Sequence, residues 1–269
     1  MRSYILLILV MISLASCKRA EEITFNHPAS VYFDIYNEAK DSIVYTFAYK
    51  PTLSRDTIWL PVRIVGTRLP VSRHFTARVE QDSSTAKPGI HYELLKDSYT
   101  VDENDGGTYL PFVIFNTDKA LEEHSFSAII KLTASDDFGI EVPNLVRAKV
   151  VFSSKLEKPD WWEQWMGSYS RTKHEFFIMI TGRTSLTREG LDAPMNLYFA
   201  GLVTTMLNNP FKWVEKNALL GYKLDEVTVG STDQYYFYNI KNPAKKTLLR
   251  KNKENNKYYF IDENGQEVI

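Results

Sequence analysis

The chain has 269 residues and one cysteine, Cys17. A single thiol closes no intrachain disulfide and builds no cysteine-rich metal site. Histidine is also sparse: His27, His74, His91, His124 and His174 stand singly. None has the i, i+4 partner of a zinc-hydrolase helix; His174-Glu175 is followed by Phe176-Phe177-Ile178, so the second histidine is missing. There is no Gly-x-Ser-x-Gly elbow and no Gly-rich phosphate loop. Charge of one sign is lacking too. The 32 Lys+Arg oppose 33 Asp+Glu, which gives no global field for nucleic acid. No apolar run approaches the roughly 20 residues that cross a bilayer. Acidic pairs such as Glu122-Glu123 and Asp136-Asp137 occur, but a glycosidase needs two carboxyls facing each other across a cleft. The chain therefore reads as a non-enzyme without a cofactor or metal.

What is present begins at the N-terminus. Arg2 precedes an apolar stretch over residues 5–14, then Ala15-Ser16-Cys17. A basic residue, a short hydrophobic segment and small residues at a junction form an export signal. Leu14-Ala15-Ser16-Cys17 resembles the lipobox of bacterial lipoproteins, in which the signal is cut before the cysteine and the cysteine carries lipid. The resemblance implies a signal peptide over 1–16, lipidation of Cys17 and a membrane held through it. Each buried CH₂ of such a lipid contributes about 0.8 kcal/mol. Lys18-Arg19-Ala20-Glu21-Glu22 then begins a tether over 17–28. Its acidic residues resemble the surface-export signals of Bacteroidetes lipoproteins; an ordinary charged tether has the same composition. The implied location is the outer membrane, facing the cell surface.

From residue 31 to 152 the pattern is strand after strand. Ile58, Leu60, Val62 and Ile64 alternate with Trp59, Pro61, Arg63 and Val65. The same period of two runs through Phe75-Ala77-Val79, Phe126-Ala128-Ile130-Leu132 and Val146-Ala148-Val150-Phe152. It puts one set into a core and leaves the other outside. Further strands are expected over 31–35, 43–49, 98–103 and 108–115. Turn clusters separate them, including Lys87-Pro88-Gly89 and Asn104-Asp105-Gly106-Gly107. This spacing predicts a mainly β fold, an antiparallel two-sheet sandwich over 29–154. Pro61 and Pro111 each remove a ladder donor, so their strands should be edges or carry bulges.

Residues 84–92, Ser-Thr-Ala-Lys-Pro-Gly-Ile-His-Tyr, resemble the turn of Calx-β-like, immunoglobulin-type sandwiches. They also resemble a family of unknown function among Bacteroidetes lipoproteins encoded beside SusC/SusD-type importers. Residues 55–64 and the Pro159-Asp160-Trp161-Trp162 to Lys173 block carry further resemblance, which spans roughly 31–180. It implies a SusC/SusD-like transporter complex as partner and a peptide or glycan as ligand. Calx-β domains bind calcium through acidic loops, and Asp102, Glu103 and Asp105 offer suitable oxygens. A hairpin turn uses the same residues for backbone reasons, and no metal site is assigned.

After a boundary at 154–159 the pattern changes to a smaller mixed α+β region over 155–269. Asp160 suits an N-cap, and Trp161, Trp162 and Trp165 fall at helical spacing, ended by Gly167. Ser170 starts a second helix that stops at Gly182. Pro194 opens a third, to Asn208, and residues 211–220 a fourth, closed by Gly221. Tyr235–Tyr238 and Tyr258–Ile261 read as strands, and Asn264-Gly265 marks a closing hairpin. Trp161, Trp162 and Trp165 are candidate ligand-binding residues, since indole faces stack on sugar rings. Their i, i+1, i+4 placement equally suits a packing face against the sandwich. Lys241, Lys245, Lys246, Arg250, Lys251, Lys253 and Lys257 form a basic stretch over 241–257. It suits an anionic partner or a solvated connection. Together these observations lead to an accessory lipoprotein of a SusC/SusD-type importer, with a freestanding glycan-binding protein as the alternative.

Overall fold

The alternating residues of the first half become two facing sheets. The structure, a computed structural model, describes residues 28–35 and 42–269; Cys17 lies outside them. In chain order the strands are β1 (Ser30–Phe33), β2 (Ser42–Thr46), β3 (Arg55–Val65), β4 (Arg73–Val79), β5 (Tyr99–Val101), β6 (Gly107–Phe115), β7 (Phe126–Thr133) and β8 (Arg147–Ser153). One sheet has the order β1-β3-β6 and the other β2-β8-β7-β4-β5. Ile58, Leu60, Val62, Leu110, Phe112 and Ile114 point inward from the first sheet. Phe75, Ala128, Ile130, Leu132, Val150 and Phe152 meet them from the second. Burial of each such large apolar side chain is worth about 1.5–3 kcal/mol. The sandwich is as expected, with one departure. β2 runs parallel to β8, because the chain leaves β1 in one sheet and joins the far edge of the other. A parallel pair needs a long crossover, and β3 to β7 supply it.

The prolines sit where a donor is not needed. β6 is an edge strand. The N–H of Glu93 bonds to Val113 O at 3.0 Å and the N–H of Phe115 to His91 O at 2.8 Å. Pro111 has the same parity, so its missing N–H faces that outer edge. Pro61 is in β3, the central strand of its sheet, contrary to the edge expectation. Its carbonyl accepts the Asp34 N–H at 2.9 Å, and the missing donor falls where β1 ends.

The second half packs four helices on a four-stranded sheet. The helices are α1 (Trp162–Met166), α2 (Arg171–Thr181), α3 (Ala193–Asn208) and α4 (Pro210–Lys216). The strands β9 (Tyr222–Glu226), β10 (Gln234–Asn239), β11 (Asn242–Lys251) and β12 (Tyr258–Phe260) form an antiparallel meander. A second core lies between them, built on Trp162, Phe177, Val203, Met206, Leu249 and Phe260. Ser170 caps α2 by accepting the Lys173 N–H at 3.2 Å, and Gly182 ends it at φ 66°.

Three details differ from expectation. Asp160 is not a cap: Trp161 occupies the N-cap of α1, without a side-chain bond. The fourth helix stops at Lys216 rather than continuing to residue 220. Asn217 Nδ2 bonds back to Trp213 O at 2.7 Å, and this competes with continuation of the helix. The basic stretch is a paired strand rather than a solvated connection. Residues 242–251 are β11, which pairs with both β10 and β12. Its lysines masked the strand signal because they alternate irregularly with the apolar Leu248 and Leu249. The expected closing hairpin forms around Gly265 at φ 78°, with Ile261 bridged to Glu267.

Candidate functional site

The sandwich and the helical region meet along a polar seam. Glu122, from the turn before β7, accepts from Arg171 Nη1 at 2.5 Å and from Lys245 Nζ at 3.3 Å. Glu175, one helical turn beyond Arg171, accepts from the same two groups at 3.2 and 2.7 Å. The four side chains are 9–19% exposed, and each cation touches both anions. Beside them Asn242 Nδ2 donates to Leu53 O and Asn116 O at 3.2 and 3.1 Å. Glu263 caps α2 from the closing hairpin, accepting the N–H of Arg171 at 2.6 Å and of Thr172 at 3.1 Å. Burial pushes its carboxyl up, but its own backbone N–H, those of Arg171 and Thr172 and the Thr172 hydroxyl outweigh it and hold the pKa below the usual glutamate value. A cleft of about 330 Å³ opens over this cluster. Its charges are consumed by one another, an arrangement that clamps three segments together rather than one poised to move protons.

The residues of the 84–92 turn also pin the fold. Thr85 and Ala86 N–H groups donate to Ser127 O, each at 2.9 Å. Gly89 takes φ 75°, a conformation that favours glycine. His91 Nδ1 accepts the Lys87 N–H at 2.9 Å, so Nε2 carries the proton and donates to Asp118 at 2.9 Å. Asp118 in turn accepts the Ala120 N–H at 2.9 Å. That backbone bond, against an upward push from burial and with help from His91, lowers its carboxyl pKa.

Asp102, Glu103 and Asp105 are exposed in the turn before β6. Among the described residues, no three His, Cys, Asp or Glu side chains converge to hold a metal.

The tryptophans are placed for packing. Trp162 is fully buried and Trp161 is 6% exposed; Trp165 is half-buried and its Nε1 donates to Thr187 O at 2.7 Å. Trp162 contacts Trp161, Tyr169, His174 and Phe177. A ring with no free face cannot stack on a sugar, so the ligand-binding assignment of Trp161 and Trp162 is corrected to a core role. The family-like block around them forms a corner. Lys173 Nζ donates to Met166 O at 2.5 Å, across the end of α1, while burial lowers its pKa.

His174 sits among these rings, and burial pushes its pKa down to about 4. Its unfolded value is near 6.5, so between those values the unfolded chain binds the proton and the folded chain does not. Stability is then full above pH 6.5 and is lost as pH falls toward 4, with a limiting slope of about 1.4 kcal/mol per pH unit. Urea midpoints measured between pH 4.5 and 6.5 should show this slope, and His174→Phe should flatten it. An unchanged slope in the variant would assign it elsewhere.

Sequence reading passed over two exposed surfaces. In α3, a helix without a charged residue, Met195, Leu197 and Tyr198 are 57–60% exposed. On the outer face of β3 and β6, Trp59 and Tyr109 are 61% and 60% exposed. The signal was present in both: an apolar run that fills both parities of a strand, or all sides of a helix, leaves some of its members outside.

No curated protein matches the chain with significance. Among solved structures it is similar to CBD12 from CALX1.2, at 14% identity over 46% of this chain and 43% of that one, with a TM-score of 0.34. It is similar to a putative carbohydrate binding protein from Bacteroides ovatus ATCC 8483, at 12% identity over 48% and 38%, with a TM-score of 0.34. A protein of unknown function from Bacteroides ovatus covers more, 87% of this chain and 71% of that one, at 11% identity and a TM-score of 0.39. The chain spans less than half the length of the first two. The family described as Domain of unknown function (DUF4843) matches residues 25–183, close to the span of the resemblance noted in the sequence, and the chain belongs to that family.

Proposed function

We propose that this chain is a lipid-anchored surface protein of the outer membrane and a non-catalytic accessory subunit of a SusC/SusD-type importer of peptides or glycans. The observation that carries the reading is the exposed face of α3. Residues 193–211 contain no charge, and Met195, Leu197 and Tyr198 project from this helix while Leu191 beside it is 95% exposed. Exposed large apolar side chains gathered on one uncharged helix mark interaction sites. An interfacial membrane helix would carry Lys or Arg along its polar face, so a protein partner suits it better than lipid. A lipid on Cys17 would hold this chain at the membrane, where such a partner would be met. Residues 17–28 reach at most about 40 Å when fully extended, which keeps the folded part beside an integral transporter.

Two experiments test the reading. Cys17→Ser should move the protein from the membrane fraction to the soluble fraction; retention in the membrane would refute lipid anchoring. The wild-type protein, purified by affinity from native outer membranes in mild detergent, should bring down an importer. Met195→Asp with Tyr198→Asp should lose it without lowering the melting temperature. Elution of the wild-type chain alone would overturn the accessory role.

A further inference from the structure

We propose that the outer face of the β1-β3-β6 sheet is a binding platform for a neutral carbohydrate, built on Trp59 and Tyr109. This deepens the accessory reading by naming the ligand class and its site.

The register builds the platform. Trp59 lies opposite Pro111, and Pro61 opposite Tyr109. Ile58, Leu60, Leu110 and Phe112 are buried on the other face, so period two turns Trp59, Pro61, Tyr109 and Pro111 outward together. Trp59 and Tyr109 are diagonal neighbours on adjacent strands, about 7–8 Å apart at the backbone. Two rings and two pyrrolidines on one face of the sheet offer C–H and π surface, which matches the apolar faces of pyranose rings.

The ends of the platform are polar but neutral. Arg63, opposite Tyr32 on the same face, pairs with Asp34 at 3.2 Å. Arg55, at the other end of β3, pairs with Glu93 at 3.7 Å. Each pair is more than 40% exposed and presents donors and acceptors that hydroxyl groups can use. With both charges cancelled locally, the face favours an uncharged ligand. Its size also separates the occupants. Two strands about 4.8 Å apart and four residues of about 3.4 Å rise give an apolar area on the order of 150 Å². A stable protein interface needs about 800 Å² per partner, whereas a few sugar rings are of the platform's size.

The test is affinity electrophoresis of the full chain in mild detergent. The native gels contain xylan, mixed-linkage β-glucan, galactomannan or amylopectin. At least one should retard the wild-type protein. Trp59→Ala and Tyr109→Ala should each weaken retardation tenfold or more with unchanged melting, because both side chains are exposed, and Tyr109→Phe should retain it. No retardation in any gel, or retardation indifferent to Trp59→Ala, would overturn the platform. So would loss of importer co-elution or of a dimer on Trp59→Ala with sugar binding intact, since that would make the face a protein interface. Co-elution of the importer is a separate readout, so failure of the platform and failure of the accessory role are distinguishable.

Discussion

Trp162→Ala should unfold the helical region while the sandwich stays folded. Trp162 is the largest fully buried side chain and packs on Trp161, Tyr169, His174 and Phe177. Its Nε1 donates to Ser168 O at 3.3 Å. Removing an indole from such a site typically costs about 3–5 kcal/mol, through lost transfer energy and a cavity its neighbours only partly fill. The neighbours here are rigid rings joined to short helices, which limits collapse. Near-UV circular dichroism should lose the aromatic signal of the second core, while hydrogen exchange in β3, β6, β7 and β8 stays slow. A loss below about 1 kcal/mol would mean the cavity closes, contrary to the packing described. Trp162→Phe should recover part of the loss, because it keeps a ring without filling the whole site.

Glu122→Ala should have the second large effect, centred on the seam. It leaves Arg171 and Lys245 sharing Glu175 alone, two cations on one anion in a largely buried setting. Breaking a buried pair by removing one partner costs about 3–5 kcal/mol, mostly from the charge left behind. The loss should be smaller when Lys245→Met is added, because one unpaired cation is then gone. Limited proteolysis should cut faster at residues 154–159, where the sandwich joins the helical region. If Glu122→Ala changes stability by less than about 1 kcal/mol, as exposed pairs do, the cluster is solvent-screened and the clamp is not what holds the seam.

Much of the sandwich was legible because a strand writes its burial into the sequence directly. Ile58-Leu60-Val62 and Ala128-Ile130-Leu132 carry the period of a sheet with one face in the core, and those residues are the ones buried. The helix limits at Ser170 and Gly182 were legible for the same local reason, since caps answer backbone groups within a few residues. β9 and β11 were not. Lys223, Asp225, Lys245 and Lys246 break the alternation, and their strands are held by pairing with β10, which no short window records. The parallel pairing of β2 and β8 joins segments that are remote in sequence. It follows from the course of the chain between sheets.

The candidate sites divide in the same way. Trp161, Trp162 and Trp165 drew attention because aromatic clusters are conspicuous, and their helical spacing fitted a core as well as a ligand. Only the packing of α2 against Trp161 and Trp162 decided for the core at those two positions. Trp59 and Tyr109 lie 50 positions apart and become neighbours through the β3–β6 register. Glu122, Arg171, Glu175 and Lys245 come from the sandwich, α2 and β11, and meet only where the two halves dock.

The sequence by itself determined the β-sandwich class, the Ser170 and Gly182 caps of α2 and the closing turn at Gly265. Each is set by neighbours in the chain, through side-chain parity or local hydrogen bonds. The tertiary structure decided which aromatic rings are buried and which are presented, which charges neutralise one another, and how β2 pairs. Those outcomes depend on register and docking between distant segments, where the energy of a contact belongs to two parts of the chain that no local pattern joins.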